Sequence, residues 1–209
     1  DRGVQILGEI ELGFLAEQGR VIAITGTNGK TTTTTLTGEI MKAHFGKDKT
    51  FVVGNIGNPY TLEADKTSKD SVTVGEISSF QLETIHTFHP VVSAILNITP
   101  DHLNRHHTME AYVAAKEAVA SQQTKADICV LNYDNDYTRD FAGRCPATPV
   151  LFSSHQELEN GYFLRGDKII KSVNGEEHEL MDIHKDMNLV GLCNVENVMA
   201  AIAIAEGMQ

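Results

Sequence analysis

Several features are scarce or missing in this chain of 209 residues, and each absence excludes a class of protein. No run of Lys or Arg occurs and the formal net charge is −11, which argues against a nucleic-acid partner. No apolar stretch approaches the length of a membrane span, and the first residues lack the pattern of a signal peptide. We therefore expect a protein that neither crosses a membrane nor binds nucleic acid.

Cysteine is also scarce. Cys129, Cys145 and Cys193 are odd in number and widely spaced, and no C-x-x-C pair occurs. This arrangement indicates reduced thiols. We therefore expect a cytoplasmic location.

Length and composition indicate one ordinary globular domain. With 41% hydrophobic and 22% charged residues, the chain is long enough to bury a sizeable core. Its first residue is Asp rather than Met, and it stops just after an Ala-rich helical segment. We expect the chain to hold one domain of a longer protein, and a processed natural N-terminus is the alternative.

Residues 23–32, with the sequence AITGTNGKTT, carry the clearest chemical pattern. Residues 21–24 are apolar and mostly β-branched and predict a buried strand, while residues 33–45 predict a helix that Gly46 ends. Strand, glycine loop, Lys-Thr and helix form the arrangement of a phosphate-binding loop. Lys30 would reach the terminal phosphates, and the Thr31 hydroxyl would hold Mg²⁺. Because Ile24 stands where the usual pattern has its first glycine, a chance Gly-Lys-Thr is the alternative.

The rest of the chain alternates predicted strands with predicted helices. Strands are predicted over 50–53, 71–74, 91–97, 128–131 and 150–152, and helices over 109–122 and 194–205. Residues 162–165 and 168–171 predict a hairpin, and Asn174-Gly175 predicts a second hairpin turn. The fold class we expect is α/β, a mostly parallel doubly wound sheet with a small antiparallel β insert near residues 161–181.

Four polar clusters follow predicted strands, at residues 25–32, 54–58, 76–79 and 99–106. In a parallel α/β sheet those strand ends meet at one edge, where ligands bind. Glu76 emerges at that edge, where its carboxylate could hold the magnesium that a nucleotide brings. An acidic residue that only stabilises a helix N-terminus is the alternative.

Four further residues have ordinary structural interpretations beside any functional ones. His102 could bind a metal, relay a proton or only form hydrogen bonds within its loop. A zinc site at His102, His106 and His107 lacks a supporting motif. By residue type alone, Lys116 is a solvated lysine on a helix whose close-packed face would be alanine-rich. That face would contain Ala111, Ala114, Ala115, Ala118 and Val119. Asn194 and Asn197 could read a nucleobase edge or cap a helix.

Taken together, the strings at residues 26–32, 54–57, 76–83 and 95–106 resemble the Mur ligases. The SSFQLE string at 78–83 resembles the branch that adds D-glutamate to UDP-N-acetylmuramoyl-L-alanine. The resemblance implies that residues 20–209 are the family's central ATP-binding domain. It also implies that residues 1–19 lead in from an N-terminal domain and that a C-terminal amino-acid-binding domain is absent.

The resemblance also implies roles for individual residues. The ATP phosphates would be held by Thr27, Asn28, Gly29, Lys30, Thr31 and Thr32. Magnesium would be held by Thr31, Glu76, His102 and a carboxylated Lys116, and the catalytic set would be Lys30, Glu76, His102 and Lys116. Asn55 and Ser78 would lie near the muramoyl substrate, and Asn194 and Asn197 would bind adenine. Cys193 and Asn104 depart from the family, which usually has His and commonly Asp there.

The implied reaction is ATP-driven amide formation through an acyl phosphate, with ATP and Mg²⁺ as cofactors. The substrates would be UDP-N-acetylmuramoyl-L-alanine and D-glutamate, in peptidoglycan precursor synthesis, and the protein is expected to be a monomer. Another Mur ligase or a folylpolyglutamate synthase is the alternative within this chemistry. A nucleotide-binding module without ligase activity is the alternative from another class.

Overall fold

A computed structural model describes residues 6–208, and its centre is a single sheet of nine strands. The strands stand in the order β2-β3-β1-β4-β5-β6-β7-β8-β9. Their bounds are β1 Arg20–Thr25, β2 Thr50–Gly54, β3 Val72–Glu76, β4 Val92–Ile95, β5 Ile128–Asn132, β6 Thr148–Ser153, β7 Gly161–Arg165, β8 Lys168–Val173 and β9 Glu176–Asp182. All the strands predicted from the sequence are confirmed.

Helices connect the strands and cover both faces of the sheet. Their bounds are α1 Glu9–Ala16, α2 Lys30–Phe45, α3 Tyr60–Glu63, α4 Ser79–Leu82, α5 Leu103–His106, α6 Met109–Glu117, α7 Asp136–Ala142, α8 Ile183–Asp186 and α9 Leu192–Gly207. The short helices α3, α4, α5, α7 and α8 were not anticipated from the sequence, because a helix of one or two turns leaves little hydrophobic periodicity. None of the helices within residues 6–208 is both long and apolar enough to cross a bilayer.

The seven strands from β1 to β7 pair in parallel, and β7, β8 and β9 pair antiparallel. The predicted α/β class and the antiparallel strands are therefore confirmed. The hairpin strands extend the main sheet, because β7 continues beside β6 with Phe152 opposite Tyr162. This leaves β2 and β9 as the two edges of the sheet.

Two apolar layers enclose the sheet. One contains Ile10 of α1, Tyr60 of α3 and Tyr112 of α6, packed with sheet residues such as Ala23 and Ile95. The other contains Met41 of α2 and Met199 of α9, packed on alternating sheet residues such as Ile22 and Ile24. Successive residues of β1 thus point to opposite layers, and the central strand is buried on both faces, as expected of a parallel sheet.

The lead-in segment is tied to the domain by one buried carboxylate. Residues 1–5 lie outside the described part of the chain, and α1 follows at Glu9. Glu11, only 1% exposed, accepts hydrogen bonds from the backbone N–H groups of His86, Thr87 and Phe88. These bonds fix α1 to the loop that precedes β4.

Helix α6 is rotated relative to our expectation. Tyr112, Val113 and Lys116 are its buried residues, whereas Ala111 and Ala114 are exposed. The predicted close-packed face is therefore wrong at Ala111 and Ala114, whereas Val119 is buried as expected. A methyl group buries little area, so the large Tyr112 ring decides which side of the helix faces the sheet.

Candidate active site

The loop after β1 turns on two glycines and opens directly into α2. Gly26 and Gly29 have φ angles of +150° and +83°, and Gly29 is the residue before the first residue of α2. A Cβ at Gly29 would also lie 2.3 Å from Asn197 Oδ1, so only glycine fits without displacement. The first N–H groups of α2 have no acceptor within the helix and are available to an anion.

The neighbouring strand β4 holds this loop from the side. Thr27 N–H donates to the carbonyl oxygen of Asn97 at 2.9 Å, and the Thr27 hydroxyl lies 3.1 Å from the Tyr112 hydroxyl. Asn97 also bonds the Asn28 backbone through its carboxamide. Sequence reasoning assigned no role to Asn97 or Tyr112. Asn97 gave a usable signal, as the first polar side chain after a buried strand, whereas Tyr112 gave none.

Lys30 folds back over the loop. Its Nζ donates to the carbonyl oxygens of Gly26 and Thr27, both at 2.9 Å. Burial lowers the pKa of Lys30, while the negative charges of Glu76 and Asp101 oppose that shift. The ammonium therefore lies at the mouth of the loop.

Lys116 is almost fully buried beside Lys30. It is 2% exposed, and its Nζ donates to the Gly26 carbonyl oxygen at 2.7 Å and lies 4.8 Å from the centre of the Tyr112 ring. Burial, and then the charge of Lys30, lower the pKa of Lys116 to about 7. The interpretation of Lys116 as a solvated helix lysine is wrong, because the rotation of α6 turns it into the site.

Glu76 joins two of the predicted site residues. Its carboxylate, at the end of β3 and 1% exposed, accepts from the Thr31 hydroxyl at 2.9 Å and from Asn55 Nδ2 at 2.7 Å. The carboxylate lies in a buried cluster of polar atoms next to residues 26–29, the loop between β1 and α2, which we call the phosphate-type loop. Mg²⁺ prefers hard oxygen ligands. Thr31 and Glu76 therefore fit a magnesium ion.

His102 lies on the open side of the site. Its backbone is left-handed, with φ +52°, and its ring stands 5.0 Å from the ring of Phe80. Within residues 6–208, no hydrogen bond links His102 to Thr31, Glu76 or Lys116. His106, by contrast, is buried against Ser79, with 2.9 Å between Nε2 and the hydroxyl oxygen. Burial lowers the pKa of His106.

The remaining predicted residues lie around the same sheet edge. Ser78 caps α4 by accepting from the Gln81 N–H, in a reciprocal capping box. At the start of α9, Asn197 Oδ1 accepts from the Thr33 hydroxyl at 3.3 Å, and Asn194 Nδ2 donates to the Val190 carbonyl. Asn197 thus packs beside α2, near the loop after β1, and its Nδ2 donates to Asn194 Oδ1 at 3.4 Å.

One known protein family matches the chain along most of its length. Residues 24–205 match the family described as Mur ligase middle domain. The chain belongs to the Mur ligase family. This match to the Mur ligase middle domain confirms the resemblance seen in the sequence.

Curated relatives are similar along almost the whole Mur ligase domain. A UDP-N-acetylmuramoylalanine--D-glutamate ligase of Lachnospira eligens is 56% identical over 98% of this chain, and that match covers 45% of the relative. The protein of the same name from Clostridioides difficile is 49% identical over 97% of this chain and 44% of the relative. The chain therefore spans slightly less than half the length of these relatives.

Solved structures support the fold. The structure of a UDP-N-acetylmuramoyl-L-alanyl-D-glutamate--2,6-diaminopimelate ligase aligns with a TM-score of 0.70 at 24% identity, over 92% of this chain and 44% of that one. A MurF ligase from Thermotoga maritima, in complex with ADP, aligns with a TM-score of 0.63 at 16% identity, over 95% of this chain and 48% of that one. At this identity the likeness concerns the fold alone.

Proposed function

We propose that this chain is the ATP-binding domain of a ligase that joins D-glutamate to UDP-N-acetylmuramoyl-L-alanine. The names of its relatives support this assignment. The similar structure from Thermotoga maritima is a complex with ADP, which supports an adenine nucleotide as the ligand of this fold. The observation that carries the proposal is the contact of both Lys30 and Lys116 with the Gly26 carbonyl, since mere phosphate binding requires no second buried lysine.

In the proposed reaction, the γ-phosphate of ATP passes to the substrate carboxylate and forms an acyl phosphate. The amine of D-glutamate then attacks the acyl carbon, the amide bond forms and phosphate leaves. The chain's contribution is positional and electrostatic. The N–H groups at the start of α2 bind phosphate oxygens, and the Lys30 ammonium offsets the negative charge that develops on them.

Magnesium would be held by Thr31 and Glu76, which already share a hydrogen bond. When bound, it would neutralise phosphate charge during the transfer. We further propose that His102 and a carboxylated Lys116 complete the metal-binding residues. Carboxylation needs a neutral amine, and a pKa of about 7 for Lys116 leaves a substantial neutral fraction at physiological pH.

The other proposed contacts follow from position. Asn55, on the Glu76 carboxylate, and Ser78, at the start of α4, would face the muramoyl substrate. Asn194 and Asn197 would bind adenine from the start of α9. None of the three cysteines forms a disulfide: Cys193 is exposed, and Cys129 and Cys145 are buried. Free thiols support a reducing compartment such as the cytoplasm.

The experiment has two parts. Calorimetry should detect binding of MgADP to the parent chain, and Lys30→Ala should abolish it, while the control Lys69→Ala, an exposed lysine, should bind as the parent does. Equal binding by Lys30→Ala would overturn the nucleotide site. The natural full-length polypeptide should then release phosphate only when both UDP-N-acetylmuramoyl-L-alanine and D-glutamate are present. Nucleotide binding without that release would favour the non-catalytic module.

A further inference from the structure

Beyond the last backbone pair between β1 and β4, the side chain of Asn97 forms the hydrogen bonds that hold the phosphate-type loop. Regular pairing of β1 with β4 ends at Thr25 and Ile95, and backbone bonds continue from Leu96 N–H to Thr25 and from Thr27 N–H to Asn97. Beyond Thr27 the chain turns into the loop and the ladder stops. At that point the Asn97 carboxamide takes over both groups of one loop residue. Its Oδ1 accepts from Asn28 N–H at 2.8 Å, and its Nδ2 donates to the Asn28 carbonyl at 3.1 Å.

The same device recurs one strand further along the sheet. Asn135, which caps α7 after β5, accepts from Ile98 N–H at 3.3 Å and donates to the Ile98 carbonyl at 3.0 Å. Each asparagine thus bonds the N–H and the carbonyl of a single residue on the neighbouring strand's extension. Together they extend the cross-strand hydrogen bonding beyond the strand ends. They link the residues after β5 to those after β4, and those after β4 to the loop after β1.

We propose that Asn97 is a positioning residue for nucleotide binding, acting by fixing the backbone of Asn28, with Asn135 supporting it from the next strand. This inference rests on the proposed nucleotide site. Asn28 is exposed, and a loop that was free to move would lose affinity through the cost of ordering it on binding. Because Asn28 N–H is already bonded to Asn97, the phosphate donors are the N–H groups at the start of α2, and Asn28 contributes no backbone donor.

Two substitutions at Asn97 distinguish its two hydrogen bonds to the Asn28 backbone, which together we call the clamp. Asn97→Leu keeps the approximate size and removes both bonds, whereas Asn97→Asp keeps the acceptor and places a carboxylate oxygen against the Asn28 carbonyl. The matched control is Asn160→Leu, because Asn160 also accepts from a backbone N–H, that of Asn174, but lies by β7 and β8. Asn135→Leu should give a smaller effect than Asn97→Leu.

The first measurement is amide exchange at Asn28 by NMR, without nucleotide. Exchange should be about tenfold faster in Asn97→Leu, which loses the acceptor of the Asn28 N–H, less affected in Asn97→Asp, which keeps that acceptor, and unchanged in Asn160→Leu. The second is calorimetry with MgADP, where the dissociation constant should rise about tenfold in Asn97→Leu and at least as much in Asn97→Asp. In the natural full-length polypeptide, the KM for ATP should rise while the KM for D-glutamate stays unchanged, a split that general destabilisation would not produce.

Unchanged exchange at Asn28 in Asn97→Leu, or unchanged MgADP affinity in both variants, would overturn the proposal. If Asn97→Leu does not fold, the MgADP affinity of Asn97→Asp gives the answer. If the parent chain itself fails to bind MgADP, the proposed function falls, and the exchange measurement still shows whether Asn97 fixes the loop.

Discussion

Lys30 and Lys116 donate hydrogen bonds to the same atom, the carbonyl oxygen of Gly26. Two ammonium groups that share one acceptor in a buried site repel each other, because little water is present to screen them. The repulsion favours loss of a proton by the more deeply buried amine, which is Lys116. The charges of Lys30, beside the phosphate-type loop, and Lys116 of α6 are therefore electrostatically coupled.

Removing the charge of Lys30 should raise the pKa of Lys116. Burial is the larger cause of the low pKa and Lys30 the second, so the pKa in Lys30→Met should rise from about 7 but stay below the ordinary lysine value. The titration of the lysine Cε signals by NMR would measure it. Lys69→Met removes an exposed charge and should leave the pKa unchanged. A pKa that stays the same or falls in Lys30→Met would show that the two amines do not interact.

Lys116→Ala should lower the ligase rate of the natural full-length polypeptide by about 10²-fold or more, if a carboxylated Lys116 organises the charges at the transfer site. Short carboxylic acids added to this variant should restore part of the rate, because they place a carboxylate where the carbamate would be. The control is Lys69→Ala, which should keep the parent rate and show no response to the acids. Wild-type turnover in Lys116→Ala would reduce Lys116 to a packing residue.

Glu11→Gln should destabilise the domain by about 2 kcal/mol at pH 7, since an amide NH₂ would face N–H groups that now donate to a carboxylate. Burial opposes ionisation of Glu11, but the bonds from residues 86–88 outweigh it and lower its pKa. The stability that this shift provides is present above the unfolded carboxyl pKa and is lost as pH falls through the folded one.

Urea unfolding of parent and Glu11→Gln at a series of pH values would check this. The difference in unfolding free energy should be largest near neutral pH and shrink in acid. The exposed Glu39→Gln, at the surface of α2, should change stability by less than about 0.5 kcal/mol. A constant difference from pH 7 to pH 3 would contradict the role assigned to the Glu11 charge.

The 209-residue chain alone should bind MgADP and make no amide product. It spans less than half the length of its curated relatives, and amide synthesis needs both reactants held in one geometry. Phosphate release should therefore not increase when D-glutamate is added to this chain, whereas it should in the natural full-length polypeptide. Sustained release that depends on D-glutamate from the chain alone would refute this.

The local features of the site could be predicted from the sequence. The glycine loop, the strand before it and the helix after it lie within one short segment, and each strand end carries its polar residues directly behind it. Parallel strands place those ends on one edge, so the proximity of Thr31 and Glu76 follows from the fold class.

What could not be predicted depends on the rotation of helices and on contacts between distant segments. Lys116 reaches Gly26, 90 positions away, only because Tyr112 turns α6 inward. The clamp of Asn97 on Asn28 joins residues 69 positions apart. The position of Asn97 behind a buried strand marks it as a candidate, but a side-chain amide that bonds a backbone leaves no periodic signal, so the sequence did not indicate Asn28 as its partner.

The outer strand β9 has a consequence for how molecules of this protein meet in solution. Within residues 6–208 it leaves one row of backbone groups without a strand partner, as any terminal strand of an open sheet does. Its residues Glu176, Glu177 and Glu179 are exposed. A second copy docking there would have to desolvate these carboxylates together with Arg165 and Lys168, which pair with Glu177 and Glu179, and this cost opposes sheet-to-sheet aggregation at high concentration. Replacing these glutamates by threonine would lower the protein concentration at which the chain precipitates.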